Sequence, residues 1–141
     1  MKLSVVIPVF NEEATLGTLL DMVVAAPLPE EVRELEMVAV DDYSSDETWP
    51  KLDTWQPSDR DDGCVVTIVR KRHEKNRGKG AALLTGFASA SGDVLLVQDA
   101  DLEYDPAEYP VLLQPIIEGR AEVVYGSRFL GGPHRVLFFW A

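Results

Sequence analysis

Five short apolar runs divide the chain, and their alternation with helical patterns constrains the fold more than any other feature of the sequence. Between the runs, leucine, valine and other apolar residues recur at the spacing typical of amphipathic helices. Strands that alternate with helices predict an α/β fold with a mostly parallel, doubly wound sheet. The predicted strands occupy residues 3–9, 36–40, 64–69, 93–98 and 122–125, and the predicted helices occupy 12–26, 49–55, 81–88 and 109–117.

The fourth run ends in two carboxylates. Its apolar residues, 94–97, predict a short strand that is buried on both faces, and Asp99 and Asp101 follow at its carboxyl end. Pro106 and a helical pattern come next, so both carboxylates lie on a strand-to-helix turn, where open α/β sheets bind their ligands. An Asp-x-Asp turn suits a divalent cation that bridges to a diphosphate, because hard oxygen ligands bind hard cations. Taken alone, these residues also fit a solvated acidic turn.

Carboxylates also follow the second run. Asp41 and Asp42 end it, and Ser45 or Asp46 is suited to cap the next helix. Because a cap uses one side chain, capping does not explain both Asp41 and Asp42. The carboxyl ends of parallel strands meet at the same edge of a sheet, so we expect these carboxylates to lie near Asp99.

The third run leads into a basic stretch, since residues 70–79 contain six of the 13 lysines and arginines. A solvated surface is the simplest interpretation of residues 70–75. Residues 76–80 differ, because two glycines flank Lys79 just before an apolar helix, and backbone N–H groups at such a helix start bind anions. The segment fits neither a Walker loop nor a dinucleotide fingerprint: no Ser or Thr follows Lys79, and Leu83 occupies the third glycine position.

Composition narrows the class of protein further. The net charge of −11, from 13 basic and 24 acidic residues, argues against general binding of nucleic acid through its phosphates. The single cysteine, Cys64, excludes an internal disulfide and favours a reducing compartment such as the cytoplasm. The apolar N-terminal run is too short for a signal peptide or a membrane span. Residues 136–140 are strongly apolar and the chain ends directly after them, so we expect one domain that is incomplete at its C-terminus.

The chain resembles the family 2 glycosyltransferases, which have the Rossmann-like GT-A fold for nucleotide-diphospho-sugar transfer. Five ordered blocks carry this resemblance along essentially the whole chain: VIPVFNEE at 6–13, VDDYSSDET at 40–48, NRGKGAA at 76–82, QDADLE at 98–103 and GSRF at 126–129. Within the family, DADLE together with GSRF most resembles the dolichyl- or polyprenyl-phosphate mannose and glucose synthases. The resemblance implies that residues 1–141 form the donor-binding part of such a domain.

The resemblance also implies a role for each matching residue. Asp42 would accept hydrogen bonds from the base, which suits uracil or guanine, and Arg128 would face a phosphate. Asp99 and Asp101 would be the catalytic residues and would hold Mg²⁺ or Mn²⁺, with Glu103 as a further metal ligand. The nucleotide sugar would be bound by Pro8, Phe10, Glu12, Val40, Asp42, Lys79, Asp99, Ala100, Asp101 and Arg128.

Two residues depart from the family pattern. Phe10 replaces a frequent tyrosine, so an aromatic face remains but the hydroxyl is lost. Tyr43 stands where a small residue is usual, next to the base-binding Asp42.

The implied activity is a metal-dependent, inverting transfer of mannose or glucose from GDP-mannose or UDP-glucose to a polyprenyl phosphate. No obvious general base follows Arg128, and two explanations are open. The base lies in a missing C-terminal part, or the acceptor is a lipid phosphate, which is already ionised at neutral pH and needs no general base. The lipid acceptor implies peripheral membrane contact, which places the protein at the cytoplasmic face.

Two other functions are alternatives, and the sequence lacks the loop that the second requires. The chain is alternatively a nucleotide-sugar-binding fragment or regulatory module without transferase activity of its own. A sugar nucleotidyltransferase would need a glycine-rich loop directly after the first strand, and Asn11, Glu12 and Glu13 stand there instead.

Overall fold

The computed structural model describes residues 1–126, which form the alternating strands and helices that the sequence predicts. The strands are β1 (Lys2–Val9), β2 (Glu34–Asp41), β3 (Val65–Arg72) and β4 (Val94–Val97). The helices are α1 (Leu16–Ala25), α2 (Thr48–Thr54), α3 (Lys79–Ser89) and α4 (Tyr109–Ile117), and a 3₁₀ turn (Pro106–Glu108) leads into α4. Within residues 1–126, no helix is both long and apolar enough to cross a membrane.

The four strands form one parallel sheet in the order β3-β2-β1-β4. The chain first winds outward from β1 to β2 and β3, and then returns to place β4 on the other side of β1. Such a reversal opens a crevice at the carboxyl ends of the two strands beside it, here β1 and β4. In the parallel register, Val9 of β1 pairs with Asp41 of β2, and Asp41 pairs with Arg72 of β3.

Helices cover both faces of the sheet, which confirms the doubly wound arrangement. Successive side chains of β1 point to opposite faces, so Val5 and Ile7 enter the larger core with Leu19 of α1, while Val6 enters a smaller core. The smaller core packs β1 and β2 against Ala82 of α3. The face that carries α3 is therefore the thinner of the two apolar layers.

Helix α3 approaches the sheet closely at Gly86. A Cβ atom at this position would lie 2.3 Å from Cγ1 of Val6, a stiff side chain that is fully buried. The absence of a side chain at Gly86 therefore lets α3 contact β1.

A buried carboxylate ties the amino edge of the sheet together. Glu36 of β2 accepts hydrogen bonds from Ser4 Oγ at 2.7 Å and from the N–H and hydroxyl of Ser91, both at 2.8 Å. Burial opposes ionisation of Glu36, but the hydrogen bonds from Ser91 and Ser4 and the charge of Lys2 outweigh it and lower its pKa to about 2. The connection from α3 to β4 is thereby fixed to β1 and β2.

Strand β4 and the segment after α4 differ from the sequence-based prediction. The prediction that β4 is buried on both faces is wrong, since within residues 1–126 β4 is an edge strand and Leu95 is 46% exposed. The predicted fifth strand at 122–125 is also wrong, because these residues form no ladder with β4. Residues 122–124 instead line an apolar groove of about 380 Å³ together with β4 and α4, so they stand away from the strand edge.

Other boundaries also shift. The first helix begins at Leu16 rather than at Glu12 and Glu13. Residues 13–15 form a turn before it, in which the N–H of Thr15 donates to the carbonyl of Glu12. Strand β3 continues into the basic stretch, where Arg70 donates to the carbonyls of Leu52 and Trp55, so a fully solvated surface is the wrong description of residues 70–75. The apolar residues at 136–140 lie outside the described residues.

We expect Gly86→Ala to lower the free energy of unfolding by about 1–3 kcal/mol, because the added methyl group overpacks the layer between α3 and β1. Urea denaturation measures this change. Gly17→Ala is the control, since Gly17 is also helical and a Cβ there meets nothing within 4 Å. Relief of the glycine penalty should leave the control stabilised by about 0.5–1 kcal/mol. An equal change in the free energy of unfolding of the two variants would contradict the close approach of α3 to β1.

We expect Glu36→Gln to lower the free energy of unfolding by about 1–3 kcal/mol near neutral pH. The pKa of Glu36 falls from 4.5 to about 2 on folding, so its stabilisation is complete above 4.5 and is lost as the pH falls towards 2. The difference between wild type and variant should therefore shrink through this acid range in urea titrations. A difference that stays constant over the same range would show that Glu36 does not contribute through its charge.

Candidate functional site

A pocket of about 250 Å³ opens at the carboxyl edge of the sheet, between the ends of β1 and β4. Residues from four separate segments line it, as the predicted convergence of strand ends requires. Eight of the predicted nucleotide-sugar-binding residues meet in its wall: Pro8, Phe10, Glu12, Asp42, Lys79, Asp99, Ala100 and Asp101.

Two of the predicted site residues that the structure describes, Val40 and Glu103, are not in the pocket wall. Val40 is fully buried and packs with Ala82 in the smaller core, because its side chain points to the α3 face of the sheet. Glu103 is exposed on the turn after Asp101 and does not line the pocket. Arg128 lies outside the described residues.

Asp42 is a buried carboxylate, 3% exposed, that protein donors surround. It accepts hydrogen bonds from the N–H groups of Arg77 at 2.9 Å and Gly78 at 2.8 Å, and from the ring of His73 at 2.7 Å. Burial opposes its ionisation, but the donors Arg77, His73 and Gly78 together outweigh this and hold the pKa of Asp42 below its usual value. Asp42 is therefore anionic at neutral pH.

The glycine-flanked loop thus binds a different anion from the one that its sequence suggests. Gly78 has a φ of +91°, a conformation that favours glycine, and this geometry directs its N–H to Asp42. The loop N–H groups of Arg77 and Gly78 are used inside the protein. Lys79 is the part of the loop that presents its charge to the pocket.

Asp41 shapes the neighbouring loop and does not line the pocket. It is fully buried and receives hydrogen bonds from the hydroxyl and the N–H of Ser44, and from the guanidinium of Arg72. The Ser44 hydroxyl also accepts the N–H of Asn11 at 2.9 Å, so it joins the end of β1 to the loop after β2. The two adjacent aspartates therefore have different functions, one structural and one facing the pocket.

Tyr43 directly follows the two aspartates and has an unusual backbone conformation. Its φ of +66° lies in the left-handed region, which a bulky side chain rarely adopts. The guanidinium of Arg72 lies between the rings of Tyr43 and Trp49, 5.5 Å and 5.4 Å from their centroids. The Tyr43 ring is thus held on Arg72, and it does not line the pocket.

Side-chain hydrogen bonds fix the backbone of the acidic turn after β4. Gln98 is buried, donates to the carbonyls of Asp99 and Tyr104, and accepts the hydroxyl of Tyr109 at 2.7 Å. Thr15, just before α1, donates to the carbonyl of Ala100 at 2.8 Å. The backbone of the turn is therefore fixed by Gln98, which Tyr109 of α4 holds in place, and by Thr15.

The carboxylates of this turn face a cation of the protein itself. Nζ of Lys79 lies 2.6 Å from Oδ1 of Asp99, and Asp101 Oδ1 accepts the N–H of Glu103. Within residues 1–126, no three histidine, cysteine or acidic side chains form a cluster that would hold a metal ion. A divalent cation bound to this pair would need further oxygen ligands from a diphosphate or water.

Sequence reasoning missed His73, which is 7% exposed and contacts Asp42 directly. One signal was available: His73 immediately follows β3, as Asp42 follows β2, and strand ends meet at one edge. Asn76, on the same loop, also lines the pocket.

Comparison with protein families identifies this architecture. Residues 4–141 match the sequence model of glycosyl transferase family 2. A dolichol-phosphate mannosyltransferase from Pyrococcus furiosus is 36% identical over 132 residues, which are 94% of this chain and 34% of that protein. An undecaprenyl-phosphate 4-deoxy-4-formamido-L-arabinose transferase from Pseudomonas aeruginosa is 42% identical over 116 residues, 82% of this chain and 32% of that protein. The chain thus spans about a third of the length of these curated relatives.

Solved structures show the same fold. A mannosyltransferase from Pyrobaculum calidifontis, in complex with GDP-Man and Mn²⁺, is 29% identical with a TM-score of 0.55, and the match covers 70% of this chain and 27% of that one. S. aureus TarS 1–349 in complex with UDP is 27% identical with a TM-score of 0.57, over 72% of this chain and 28% of that one.

We expect Ser44→Ala to lower the free energy of unfolding by about 1–3 kcal/mol, because it leaves the buried Asp41 carboxylate and the N–H of Asn11 without the hydroxyl between them. Urea denaturation measures the loss. Ser45→Ala is the control, since Ser45 is exposed and its hydroxyl lies 3.4 Å from Asn11 Oδ1. The control should change by less than about 0.5 kcal/mol. A loss of similar size in both variants would contradict the role of Ser44.

Proposed function

The chain belongs to glycosyl transferase family 2, and from this premise we propose that it transfers a hexose from a nucleoside-diphosphate sugar to a polyprenyl phosphate, with inversion at the sugar. The proposed donors are GDP-mannose and UDP-glucose. One observation carries the proposal. Asp42, a buried anionic hydrogen-bond acceptor, and the acidic pair Asp99 and Asp101 line one pocket, at the edge of the sheet where the winding of the chain reverses.

The residues of the pocket suit the two ends of a nucleoside diphosphate. Asp42 accepts hydrogen bonds, and both uracil and guanine present a ring N–H that would donate to it. Phe10 lines the pocket and is 46% exposed, which leaves an aromatic face for a base or ribose. Lys79 supplies positive charge beside the acidic turn, where a diphosphate would lie.

The donor set at the acidic turn fits Mg²⁺ or Mn²⁺. Asp99 and Asp101 supply hard carboxylate oxygens, and Asp101 is exposed to the solvent side of the pocket. A cation held there would neutralise charge that develops on the leaving nucleoside diphosphate. Lys79, which contacts Asp99, would then be free to contact a phosphate oxygen.

The names of two relatives support a lipid phosphate as the acceptor, since one is a dolichol-phosphate and the other an undecaprenyl-phosphate transferase. A phosphate monoester is ionised at neutral pH, so its oxygen attacks without a general base from the protein. Such an acceptor implies peripheral contact with a membrane, at its cytoplasmic face.

The alternative is that this chain binds the nucleotide sugar without transferring it, which its coverage of about a third of its relatives makes worth testing. Calorimetry with GDP, UDP and Mn²⁺, followed by a transfer assay to a polyprenyl phosphate, separates the two functions. Turnover supports the transferase, and binding without turnover supports the binding module.

We expect Asp101→Asn to reduce metal-dependent transfer by about 100-fold or more, because the variant loses one of two carboxylates at the proposed cation site. The same variant should lose the Mn²⁺-dependent part of nucleotide affinity in calorimetry. Asp101 is exposed, so the fold should remain intact by circular dichroism.

Asp105→Asn provides the control for Asp101→Asn. Asp105 is on the same turn, its carboxylate accepts the N–H of Ala107, and an asparagine retains that acceptor. The control loses the same charge and should keep transfer and Mn²⁺ dependence. Transfer by Asp101→Asn at a rate near that of wild type would show that the cation assignment is wrong.

A further inference from the structure

We propose that His73 is a positioning residue for the nucleotide base: it fixes the Asp42 carboxylate in the orientation in which one acceptor position remains for a donor from the base. The proposal rests on the proposed function, because it assigns the base to Asp42. Neither the family blocks at 76–82 nor those at 40–48 contain His73.

His73 connects three elements at the edge of the pocket. Its backbone N–H donates to the carbonyl of Asp41 at 2.9 Å and so extends the pairing of β2 and β3 by one bond. On its side chain, Nδ1 lies 2.7 Å from Asp42 Oδ1, and Nε2 lies 2.8 Å from the hydroxyl of Thr85 in α3. The imidazole is therefore held between the Asp42 carboxylate and the Thr85 hydroxyl, while the backbone of His73 is bound to β2.

The contacts of Asp42 leave room for one further donor. A carboxylate accepts about four hydrogen bonds, about two on each oxygen. Oδ1 already receives His73 and the N–H of Arg77, whereas Oδ2 receives the N–H of Gly78 alone. The remaining acceptor position is on Oδ2, and Asp42 lines the pocket. A single ring N–H, as in uracil or guanine, would match it.

His73 is the buried anchor among the donors to Asp42. Glu74, Lys75 and Asn76, which separate His73 from the other donors, are exposed, and Arg77 is exposed as well. The loop N–H groups alone would leave the carboxylate attached to a surface segment. His73 instead joins it to β3 and, through Thr85, to α3.

The role of His73 does not depend on its protonation state. In the neutral ring with the proton on Nδ1, His73 donates to Asp42 and Nε2 accepts the Thr85 hydroxyl. In the charged ring, Nδ1 still donates to Asp42 and Nε2 donates to the Thr85 oxygen. The hydrogen bond to Asp42 is present in both forms.

The test compares two substitutions that keep a side chain in the buried site. His73→Asn places an amide N–H near the position of Nδ1 and keeps a donor for Asp42, whereas His73→Leu fills the space without any donor. The ligands are UDP, GDP and inorganic pyrophosphate, each titrated with Mn²⁺ by calorimetry. Pyrophosphate probes the acidic turn without a base.

We expect His73→Leu to lower the affinity for whichever of UDP and GDP binds wild type more tightly by about 10-fold or more. A loss of this size corresponds to one hydrogen bond to a charged group. Pyrophosphate affinity should stay within about two-fold, because Asp99 and Asp101 are held by separate contacts. His73→Asn should remain within about three-fold of wild type for all three ligands. In a transfer assay, His73→Leu should raise KM for the donor and leave kcat unchanged.

Two results would overturn the proposal. One is wild-type affinity of His73→Leu for UDP and GDP, and the other is an equal loss of nucleotide and pyrophosphate affinity, which would indicate a general structural role. If wild type itself binds neither nucleotide, the proposed function fails rather than the assignment of His73 within it.

Thr85→Val keeps the proposal testable if His73→Leu does not fold. This variant retains His73 and the shape of Thr85 but removes the hydroxyl that orients the ring. It should weaken nucleotide binding by about three-fold without changing pyrophosphate binding. No change in nucleotide affinity would then count against a positioning role.

Discussion

Compensation of buried carboxylates is the physical requirement on which this domain depends. An ionised carboxylate removed from water is stable only where hydrogen-bond donors or cations replace its hydration. Both buried aspartates at the carboxyl edge meet this requirement: Asp41 receives donors from Ser44 and Arg72, and Asp42 receives donors from the loop after β3. The carboxylates therefore set the conformations of the loops that form the pocket.

This requirement divides the chemistry of the pocket into two parts. At the proposed base end, the donors of the basic loop already bind Asp42, which leaves an anionic acceptor with limited free capacity. At the proposed diphosphate end, Asp99 contacts the exposed Lys79, and Asp101 is exposed. The proposed function assigns the base to the fixed acceptor and the diphosphate, with its cation, to the acidic turn.

The sequence predicted the strands and helices well, because buried parallel strands appear as continuous apolar runs with polar residues at their ends. It did not predict strand order, so the edge position of β4 and the exposure of Leu95 were not foreseen. The apolar pattern at 122–125 was equally strong, yet apolar residues there line a groove instead of pairing with β4. A pattern of side chains reports burial, whereas pairing depends on the position of a neighbouring backbone.

The sequence predicted which residues form the site better than it predicted the contacts among them. Eight predicted residues meet in the pocket because strand ends of a parallel sheet converge, a rule that needs no coordinates. The hydrogen bond from the N–H of Gly78 to Asp42 could not be predicted, since a glycine before a helix can donate its N–H to any nearby anion. His73 was missed because its position after a strand is a weak signal for a single histidine, and its partners Asp42 and Thr85 are distant in sequence.

The central claim is that the edge between β1 and β4 binds a nucleoside diphosphate, with its base at Asp42 and its diphosphate at the acidic turn. Amide chemical-shift mapping of the isotope-labelled protein tests it most directly, with UDP or GDP added in the presence of Mg²⁺ and then of Mn²⁺. The account predicts shifts at the amides of Arg77 and Gly78, which donate to Asp42, and paramagnetic broadening by Mn²⁺ centred on Asp99 and Asp101. Shifts confined to the apolar groove along β4, or broadening centred elsewhere, would contradict it.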